Sequence, residues 1–587
     1  MMRRLLACVG LAVPALVVYQ SCLAADLPSA SSWLPAETPL VFEATEPMTL
    51  LGPLFASEVA KAVTASATNR TQNLKLQQLQ GIVAYLELQL GTSWRLGLER
   101  LLGRNATIAL GPGGEALLCA DGQDDKLLEK LHETARHFAT TEAIKQQQPE
   151  RVASKEYQGV TAWTLGENEA HAILGTRLLL SNRREVLKRA LDLRAESNGK
   201  DLASSALYKA AHEAVGKDTA AWLYVNMETA RQAPALKAAL AREGNPIGTL
   251  LMADTQEVLS AAKWLAVGLY VREGKLVLKA YTDGEAPATS KAAAFATARE
   301  AGDGVMPNLA VPGRIASLSL YRDLRAFYAA KDDLFPERTS GLVFFENMMG
   351  IFFSGTELTD GVLGQTRPDI RIVVASQKYD PSVGTPAVQM PAYAAVMRLR
   401  NPQKFGPAVE EGWQKALGLI NFTRGQKAEP GLVIDRATHS DVKFTYAYYR
   451  PTEAKDNGVV DERFNYRPSV ALTGDYLIFS STDGLTADLI DALKKEAVSA
   501  AKPSGPTHAV LQVDGVQLRS ILARNRESMI RKNMVEKGNA REQAETDISG
   551  FLTLLDCLEE GKLSLDRDGG RPRATLELKL KTPTTLP

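Results

Sequence analysis

The chain has 587 residues, and its 68 Lys and Arg residues balance 68 Asp and Glu residues. A chain of this length exceeds a single hydrophobic core, so we expect more than one domain. Charges of both signs are interleaved along the sequence, which gives no long-range positive field for a polyanion. The composition therefore excludes nucleic acid as an expected partner.

The first 24 residues have the three-part layout of a bacterial secretory signal peptide. Arg3 and Arg4 give a positive start, residues 5–19 form an apolar run, and Ala24 precedes the expected cleavage point. The run of 15 residues is shorter than the roughly 20 that a membrane-spanning helix needs. We therefore predict a cleaved signal peptide at 1–24 and a secreted protein located in the periplasm or cell envelope. Loss of the two arginines gives the mature chain a net charge of −2.

The four cysteines divide between the predicted signal and the mature chain. Cys22 raises the possibility of a lipid anchor, but the preceding Tyr-Gln-Ser departs from the Leu-small-small pattern of lipoprotein signals. Cys119 and Cys557 each follow apolar residues, which favours two separate buried thiols. An oxidising compartment leaves a disulfide between them open. Beyond the signal, no apolar stretch approaches the length of a membrane span.

The mature chain contains an internal repeat. Residues 172–191 and 471–490 both contain a short apolar strand, a serine, a polar turn and an amphipathic helix. Ser181 and Ser480 stand at the junction of strand and helix, where a hydroxyl is expected to cap the first turn of the helix. The repeat therefore predicts equivalent places for the two serines.

Further segments repeat in the same order. The pairs are 39–45 with 314–320, 115–131 with 393–409, 219–230 with 507–518, and 265–281 with 563–580. Alternation of apolar and polar residues at 275–281 and 575–580 is typical of strands with one buried face. We therefore predict an α+β protein of two similar lobes from internal duplication, with antiparallel sheets and helices on one side.

Composition places the join between the lobes within residues 283–312, which are rich in Ala, Gly, Pro and charge. The predicted first lobe is 25–290, and the predicted second lobe is 310–587. The second lobe also carries a charged helical pattern at about 516–560 with no counterpart in the first. We interpret this pattern as a surface helical hairpin, with a partner-docking helix as the alternative.

Four segments carry a likeness to known proteins: 34–42, 101–110, 475–481 and 561–581. They resemble a family of exported bacterial proteins, common in planctomycete-like genomes, that carry a domain of unknown function. The resemblance spans nearly the whole mature chain, and its motifs are structural. It implies a fold and an extracytoplasmic location, and it brings no function and no functional residues.

Short matches to catalytic motifs fail on spacing. His132 and His137 are five residues apart and diverge by about 140° around a helix, which argues against a zinc site. Ser499 and Lys502 have a Ser-x-x-Lys spacing, but chance produces such a spacing and this one leads into a Pro-Gly loop. Residues 111–114 lack the Lys and Ser or Thr of a P-loop and are predicted to form a hairpin turn. The sequence therefore assigns no catalytic, cofactor-binding or metal-binding residue.

Two apolar patterns are candidate surfaces. Phe444, Tyr446 and Tyr448 alternate on one strand face, as a ligand-stacking or partner surface would, although a helix-covered sheet face is favoured. Residues 341–353 are favoured as a core helix, with a membrane-touching helix as the alternative.

The absence of a catalytic motif favours a non-enzymatic binding or structural module of the cell envelope. Its expected partner is an unknown protein or small-molecule ligand, and no cofactor is predicted. The alternative is an extracytoplasmic hydrolase with its site in a cleft between the lobes, because ligands favour such interfaces.

Overall fold

The computed structural model describes most of the predicted mature chain. The described residues are 28–45, 47, 48, 50, 81, 83–166, 168–196, 198–234, 236, 237, 245–298, 304–337, 340–451, 458–499, 501–504, 507–568 and 571–581. The predicted signal peptide at 1–24, including Cys8 and Cys22, lies outside them. Within these ranges no helix is both long enough and apolar enough to cross a bilayer.

The chain divides into two compact units. The first comprises residues up to 241 together with 262–284, and the second comprises 242–261 together with 285–582. Both contain antiparallel sheets with helices, which confirms the α+β class.

The segment 242–261 departs from the predicted lobe boundaries. The sequence places it in the first lobe, 25–290, whereas the structure places it in the second unit. Packing explains the difference, because Ala253 lies in one apolar cluster with Phe295 and Tyr328 of the second unit. A boundary read from composition does not detect a helical segment that packs on the other unit.

The first unit has an antiparallel sheet of ten strands among its described residues. In chain order the strands are β1 (Leu40–Thr45), β2 (Asn105–Leu110), β3 (Ala116–Asp121), β4 (Ala153–Tyr157), β5 (Val160–Thr164), β6 (Ala170–Leu174), β7 (Arg177–Ser181), β8 (Ala221–Asn226), β9 (Trp264–Arg272) and β10 (Lys275–Thr282). Their order across the sheet is β10-β9-β8-β1-β2-β3-β7-β6-β5-β4.

The second unit repeats this strand order. Its strands are β11 (Arg314–Tyr321), β12 (Thr366–Ala375), β13 (Thr385–Pro386), β14 (Ala392–Leu399), β15 (Leu432–His439), β16 (Val442–Tyr449), β17 (Val459–Val460), β18 (Ser469–Thr473), β19 (Tyr476–Ser480), β20 (Thr507–Asp514), β21 (Leu558–Asp568) and β22 (Arg571–Leu580). The order is β22-β21-β20-β11-β12-β14-β19-β18-β16-β15, again antiparallel throughout. Strands β13 and β17 form a separate parallel pair.

The register also agrees between the two sheets. One row of directly paired residues in the first unit runs through His171, Leu180, Leu118, Ile108, Phe42, Leu223, Val267 and Ala280. The corresponding row in the second unit runs through Val470, Phe479, Ala395, Ile372, Leu318, Leu511, Leu563 and Leu576. Ser181 comes directly after Leu180 of the first row, and Ser480 comes directly after Phe479 of the second. The two serines therefore occupy equivalent places.

Two predicted pairings differ from this register by a single residue. The match of 115–131 with 393–409 sets Leu118 against Val396, whereas the structure sets Leu118 against Ala395. The match of 39–45 with 314–320 sets Phe42 against Ser317, whereas the structure sets Phe42 against Leu318. A slip of one residue turns a side chain to the other face of the sheet. Ser317 accordingly is buried at 2% exposure, while Phe42 retains 37%.

Helices connect these strands. In the first unit they include α1 (Trp94–Leu101), α2 (Asp125–Lys145), α3 (Arg184–Ala195), α4 (Ala206–Val215) and α5 (Met227–Ala230). In the second unit they are α6 (Pro246–Met252), α7 (Thr255–Ala261), α8 (Lys291–Ala296), α9 (Leu324–Ala329), α10 (Lys331–Leu334), α11 (Ser340–Phe352), α12 (Pro402–Gln426), α13 (Asp483–Ser499), α14 (Gly515–Arg524), α15 (Arg526–Lys537) and α16 (Arg541–Asp556).

Helices cover both faces of the second sheet, rather than one side as expected. On β19, Ile478 packs with Leu485 and Leu489 of α13. The preceding Leu477 instead packs with Phe405 of α12. Successive residues of a strand point to opposite faces, so α13 and α12 lie on opposite sides of the sheet.

The first sheet follows the same plan. Ala172 packs with Leu187 of α3, while the preceding His171 contacts His132 of α2. The alternation at 275–281 and 575–580 predicts a sheet with one solvent-exposed face. The strands that lie between α2 and α3 are instead apolar on both faces, so helices can cover both.

Ser181 and Ser480 do not cap helices as predicted. The Ser181 hydroxyl donates to the Ala116 carbonyl at 2.8 Å, and the Ser480 hydroxyl donates to the Thr482 carbonyl at 2.9 Å. In the second unit Thr482 caps α13, because its hydroxyl accepts from the Leu485 N–H at 3.3 Å. The capping prediction was wrong because each serine ends its strand three residues before the helix begins.

The charged pattern at 516–560 forms three helices, α14 to α16. Helices α15 and α16 pack against each other through Ile530, Ala544 and Ile548. Gly538 ends α15 in the left-handed conformation with φ of 67°. These two helices correspond to the expected surface hairpin.

Candidate functional site: an exposed apolar surface

Helix α11 exposes much of its apolar sequence. Phe344 and Ile351 retain 65% and 55% exposure. The opposite side of the segment is packed, since the Phe353 ring just after α11 stacks on Phe405 of α12 with ring centres 5.8 Å apart. The helix therefore lies on the surface of the second unit with one side buried.

The outward side chains form a stripe. Phe344, Met348 and Ile351 follow the i, i+4, i+7 spacing that places residues on one helix face. The only charged residue of α11 is Glu346, which accepts a hydrogen bond from the Tyr328 hydroxyl at 2.7 Å. The favoured interpretation of 341–353 as a core helix was wrong, because an apolar stripe faces solvent.

Helix α12 also exposes apolar side chains. Leu419 and Phe422 retain 40% and 64% exposure and lie three residues apart. Leu419 is one turn beyond Lys415, whose ammonium donates to the Ser354 hydroxyl just after α11 at 2.5 Å. We call Phe344, Met348, Ile351, Leu419 and Phe422 together the α11–α12 surface.

A glycine permits the close approach of the two helices. A Cβ atom at Gly412 of α12 would lie 3.3 Å from the Phe352 carbonyl oxygen and 3.6 Å from the Phe353 ring. A larger residue would therefore push α11 away from α12.

A smaller apolar patch lies on the first sheet. Phe42 and Ile108 are direct cross-strand neighbours with 37% and 40% exposure. Leu110, with 39% exposure, pairs with Leu40 on the same two strands. Four neighbouring apolar residues thus reach solvent on β1 and β2.

The aromatic strand β16 is partly covered. Phe444 is buried in the cluster that includes α13, as the helix-covered interpretation requires. Tyr446 and Tyr448 stack with ring centres 5.9 Å apart, and the Arg467 guanidinium lies 5.3 and 5.7 Å from them. Asp483 holds Arg467 there with hydrogen bonds of 2.7 to 3.0 Å. The arginine thus takes the stacking position that a planar ligand would use.

Two of the catalytic-motif matches have local structural roles. The exposed Ser499 hydroxyl donates to the Glu496 carbonyl at 2.9 Å. Residues 111–114 join β2 to β3 as the predicted hairpin turn, with Gly114 at φ of 78°. Within the described residues, no set of three or more His, Cys, Asp or Glu side chains is arranged to hold a metal ion.

Cys119 and Cys557 are both thiols and form no disulfide. Cys119 is buried on β3, and this burial raises the pKa of its thiol to about 12. The thiol therefore stays protonated and unreactive. Cys557 is half-buried after α16.

Arg322 attaches the helical segment at 242–261 to the rest of the second unit. Its fully buried guanidinium donates to the carbonyls of Leu250 and Leu251 at 2.6 and 2.8 Å, and to those of Tyr321 and His508 at 2.7 and 3.2 Å. Leu250 and Leu251 lie in the last turn of α6, whose carbonyls have no partner within the helix. Burial lowers the pKa of Arg322 to about 10, so the side chain remains charged at neutral pH.

We expect His508 to make the second unit sensitive to acid. Burial, with the charges of Arg322 and Arg567, lowers the pKa of His508 from 6.5 to about 4. Between these two pKa values the unfolded chain protonates His508 and the folded chain does not. The free energy of unfolding therefore keeps its full contribution from neutral His508 above about pH 6.5 and loses it as the pH falls toward 4. The free energy of unfolding of the wild type relative to His508→Gln should fall by up to about 1.4 kcal/mol per pH unit across this range, measured by urea denaturation.

Two comparisons isolate this effect. Burial raises the pKa of Asp369 to about 6, so the stability that protonated Asp369 contributes is lost as the pH rises through 6. Asp369 is present in both the wild type and His508→Gln, so its effect cancels when their free energies of unfolding are subtracted. The exposed His137→Gln variant should follow the wild type at every pH. Parallel pH profiles for the wild type and His508→Gln would contradict the assignment.

Residues 130–306 match a family described as protein of unknown function (DUF3352). The resemblance to proteins that carry a domain of unknown function is therefore confirmed for part of the chain. It was expected over nearly the whole mature chain, and the segments that suggested it, from 34–42 to 561–581, lie outside the match.

Comparison with solved structures found only distant similarity. The structure of crystal form I of TP0453 has a TM-score of 0.20 and 11% identity, and covers 44% of this chain and 80% of that chain. Crystal form III of TP0453 has a TM-score of 0.21 and 10% identity, and covers 46% and 88%. A search of curated proteins gave no significant match.

Proposed function

We propose that this protein is a non-enzymatic binding module of the cell envelope that engages an apolar partner through the α11–α12 surface. The stripe of Phe344, Met348 and Ile351 on a solvent-facing helix carries the proposal. Contiguous exposed apolar surface is characteristic of interaction sites in soluble proteins. The match of residues 130–306 to a domain of unknown function is compatible with this role and adds no activity.

The location rests on the leader sequence. Positive residues, a short apolar run and a small residue at the expected cleavage point support export of the chain. Fractionation of cells that express a tagged protein tests this part. Recovery from the envelope fraction with the leader removed is expected, and recovery from the cytosol would overturn it.

We infer that the two units arose by duplication. Their shared strand order and register support this origin, because ten strands have many possible arrangements. The alternative function, a hydrolase with a site between the lobes, stays a prediction.

Site-specific photo-cross-linking tests the α11–α12 surface. A photoreactive residue at Leu419 should give one adduct of defined mass in the envelope fraction, because this position lies in the proposed contact. The same probe at Val535 of α15, which is 85% exposed, should give no adduct.

A double substitution separates binding from folding. Phe344→Ser with Ile351→Ser should abolish the adduct formed from Leu419 while leaving the urea midpoint nearly unchanged, since both side chains face solvent. An unchanged adduct in the double variant, or equal adducts from positions 419 and 535, would overturn the proposal.

A further inference from the structure

Two histidines from separate elements of the first unit meet between α2 and β6. The ring centres of His132 and His171 are 5.0 Å apart, with the planes inclined by 68°. His171 is only 4% exposed. The Nε2 atoms of both rings are buried without a hydrogen-bond partner. A buried polar atom in this condition costs about 1–3 kcal/mol unless a ligand satisfies it.

A carboxylate orients one of these rings. Glu169 contacts the Nδ1 atom of His171 through Oε1, and its Oε2 accepts a hydrogen bond from the Leu165 N–H at 2.7 Å. This arrangement assigns the proton of neutral His171 to Nδ1 and leaves a lone pair on Nε2. Carboxylates hold metal-binding histidines in the same way, through the ring nitrogen that does not bind the metal.

We propose that His132 and His171 bind one divalent transition-metal ion of the zinc or copper class through their Nε2 atoms. Imidazole nitrogens suit these ions. Two imidazoles on one tetrahedral ion, with metal–nitrogen distances of about 2.0–2.1 Å, have ring centres roughly 5 Å apart. The observed separation of 5.0 Å fits this geometry.

The pair supplies two protein ligands, fewer than the four of a closed structural zinc site. No third His, Cys, Asp or Glu completes a ligand set here among the described residues. With only these two protein ligands, the ion should bind more weakly than in a closed structural site. This inference does not depend on the proposed role of the α11–α12 surface, which lies in the other unit.

Tryptophan fluorescence provides a local readout. The Trp163 ring centre is 5.2 Å from that of His132, so Cu²⁺ bound by the pair should quench Trp163. The chain has six tryptophans, and the Trp163→Phe variant therefore identifies the signal. We expect saturable quenching by Cu²⁺ in the wild type and its loss in Trp163→Phe, with Zn²⁺ binding by equilibrium dialysis preserved in both.

His132→Gln tests the ligand, and His137→Gln is the matched control. Both residues lie on α2, but His137 is exposed and outside the pair. We expect His132→Gln to weaken Cu²⁺ and Zn²⁺ binding by about 10-fold or more, and His137→Gln to bind like the wild type. The proposal fails if His132→Gln binds both ions as tightly as the wild type. It also fails if the folded wild type binds neither ion, which would leave the two rings as an edge-to-face packing contact.

Discussion

Replacing Arg322 with Met is expected to lower the free energy of unfolding of the second unit by about 3–5 kcal/mol. The guanidinium donates to four backbone carbonyls in a site without solvent access. Methionine fills a similar volume but leaves these carbonyls without donors. Urea denaturation followed by circular dichroism measures the loss, with the transitions of the two units fitted separately.

Two further variants define the cause. Arg322→Lys should recover only part of the loss, because an ammonium keeps the charge but lacks the planar fork of donors. Arg436→Met should leave the midpoint almost unchanged, since this side chain is 72% exposed. Equal midpoints for Arg322→Met and the wild type would show that water replaces the guanidinium at no cost.

The ion pair between Arg371 and Glu496 is the second large contribution. The side chains are 2% and 12% exposed, with a nitrogen–oxygen distance of 2.5 Å. Tyr476 donates to Glu496 at 3.2 Å and lies below the Arg371 guanidinium at 5.0 Å. Arg371→Met should cost about 3–5 kcal/mol, because it leaves the Glu496 carboxylate buried without its cation.

A double-mutant cycle separates the pair from its surroundings. Adding Glu496→Gln to Arg371→Met should recover part of the lost stability, since the second change removes the unpaired charge. The exposed pair of Arg325 and Asp360 supplies a contrast in which neither substitution should shift the urea midpoint measurably. If the double variant is less stable than Arg371→Met alone, the unpaired carboxylate is not the source of the loss.

The strand framework could be predicted from the sequence because its signals are local. The match of 172–191 with 471–490 gave equivalent strands and the equivalence of Ser181 with Ser480. The exact register of β1 and β11 could not be predicted, because Phe42 resembles the preceding Leu40 and Val41 in hydrophobicity and only pairing with β2 and β8 fixes the face it takes.

The candidate sites depended on contacts that no local pattern contains. The run at 341–353 is apolar enough for a core helix. It is exposed because α12 covers only one side of α11, which the sequence of α11 alone does not indicate. The helix spacing sets His132 beside no other histidine of α2, whereas its neighbour in the structure is His171, on the third strand after that helix. The partners of Arg322 are backbone carbonyls, which carry no sequence signal.

The position of β1 has a consequence for how the first unit forms. This strand lies between β2 and β8. The β8 strand ends at Asn226, about 180 residues after β1 along the chain. Closing so large a loop is slow, and the strand edge stays open until synthesis has passed that point. A chain cut short before β8 would expose β1 to pairing with other chains, so we expect N-terminal fragments of this unit to aggregate rather than fold.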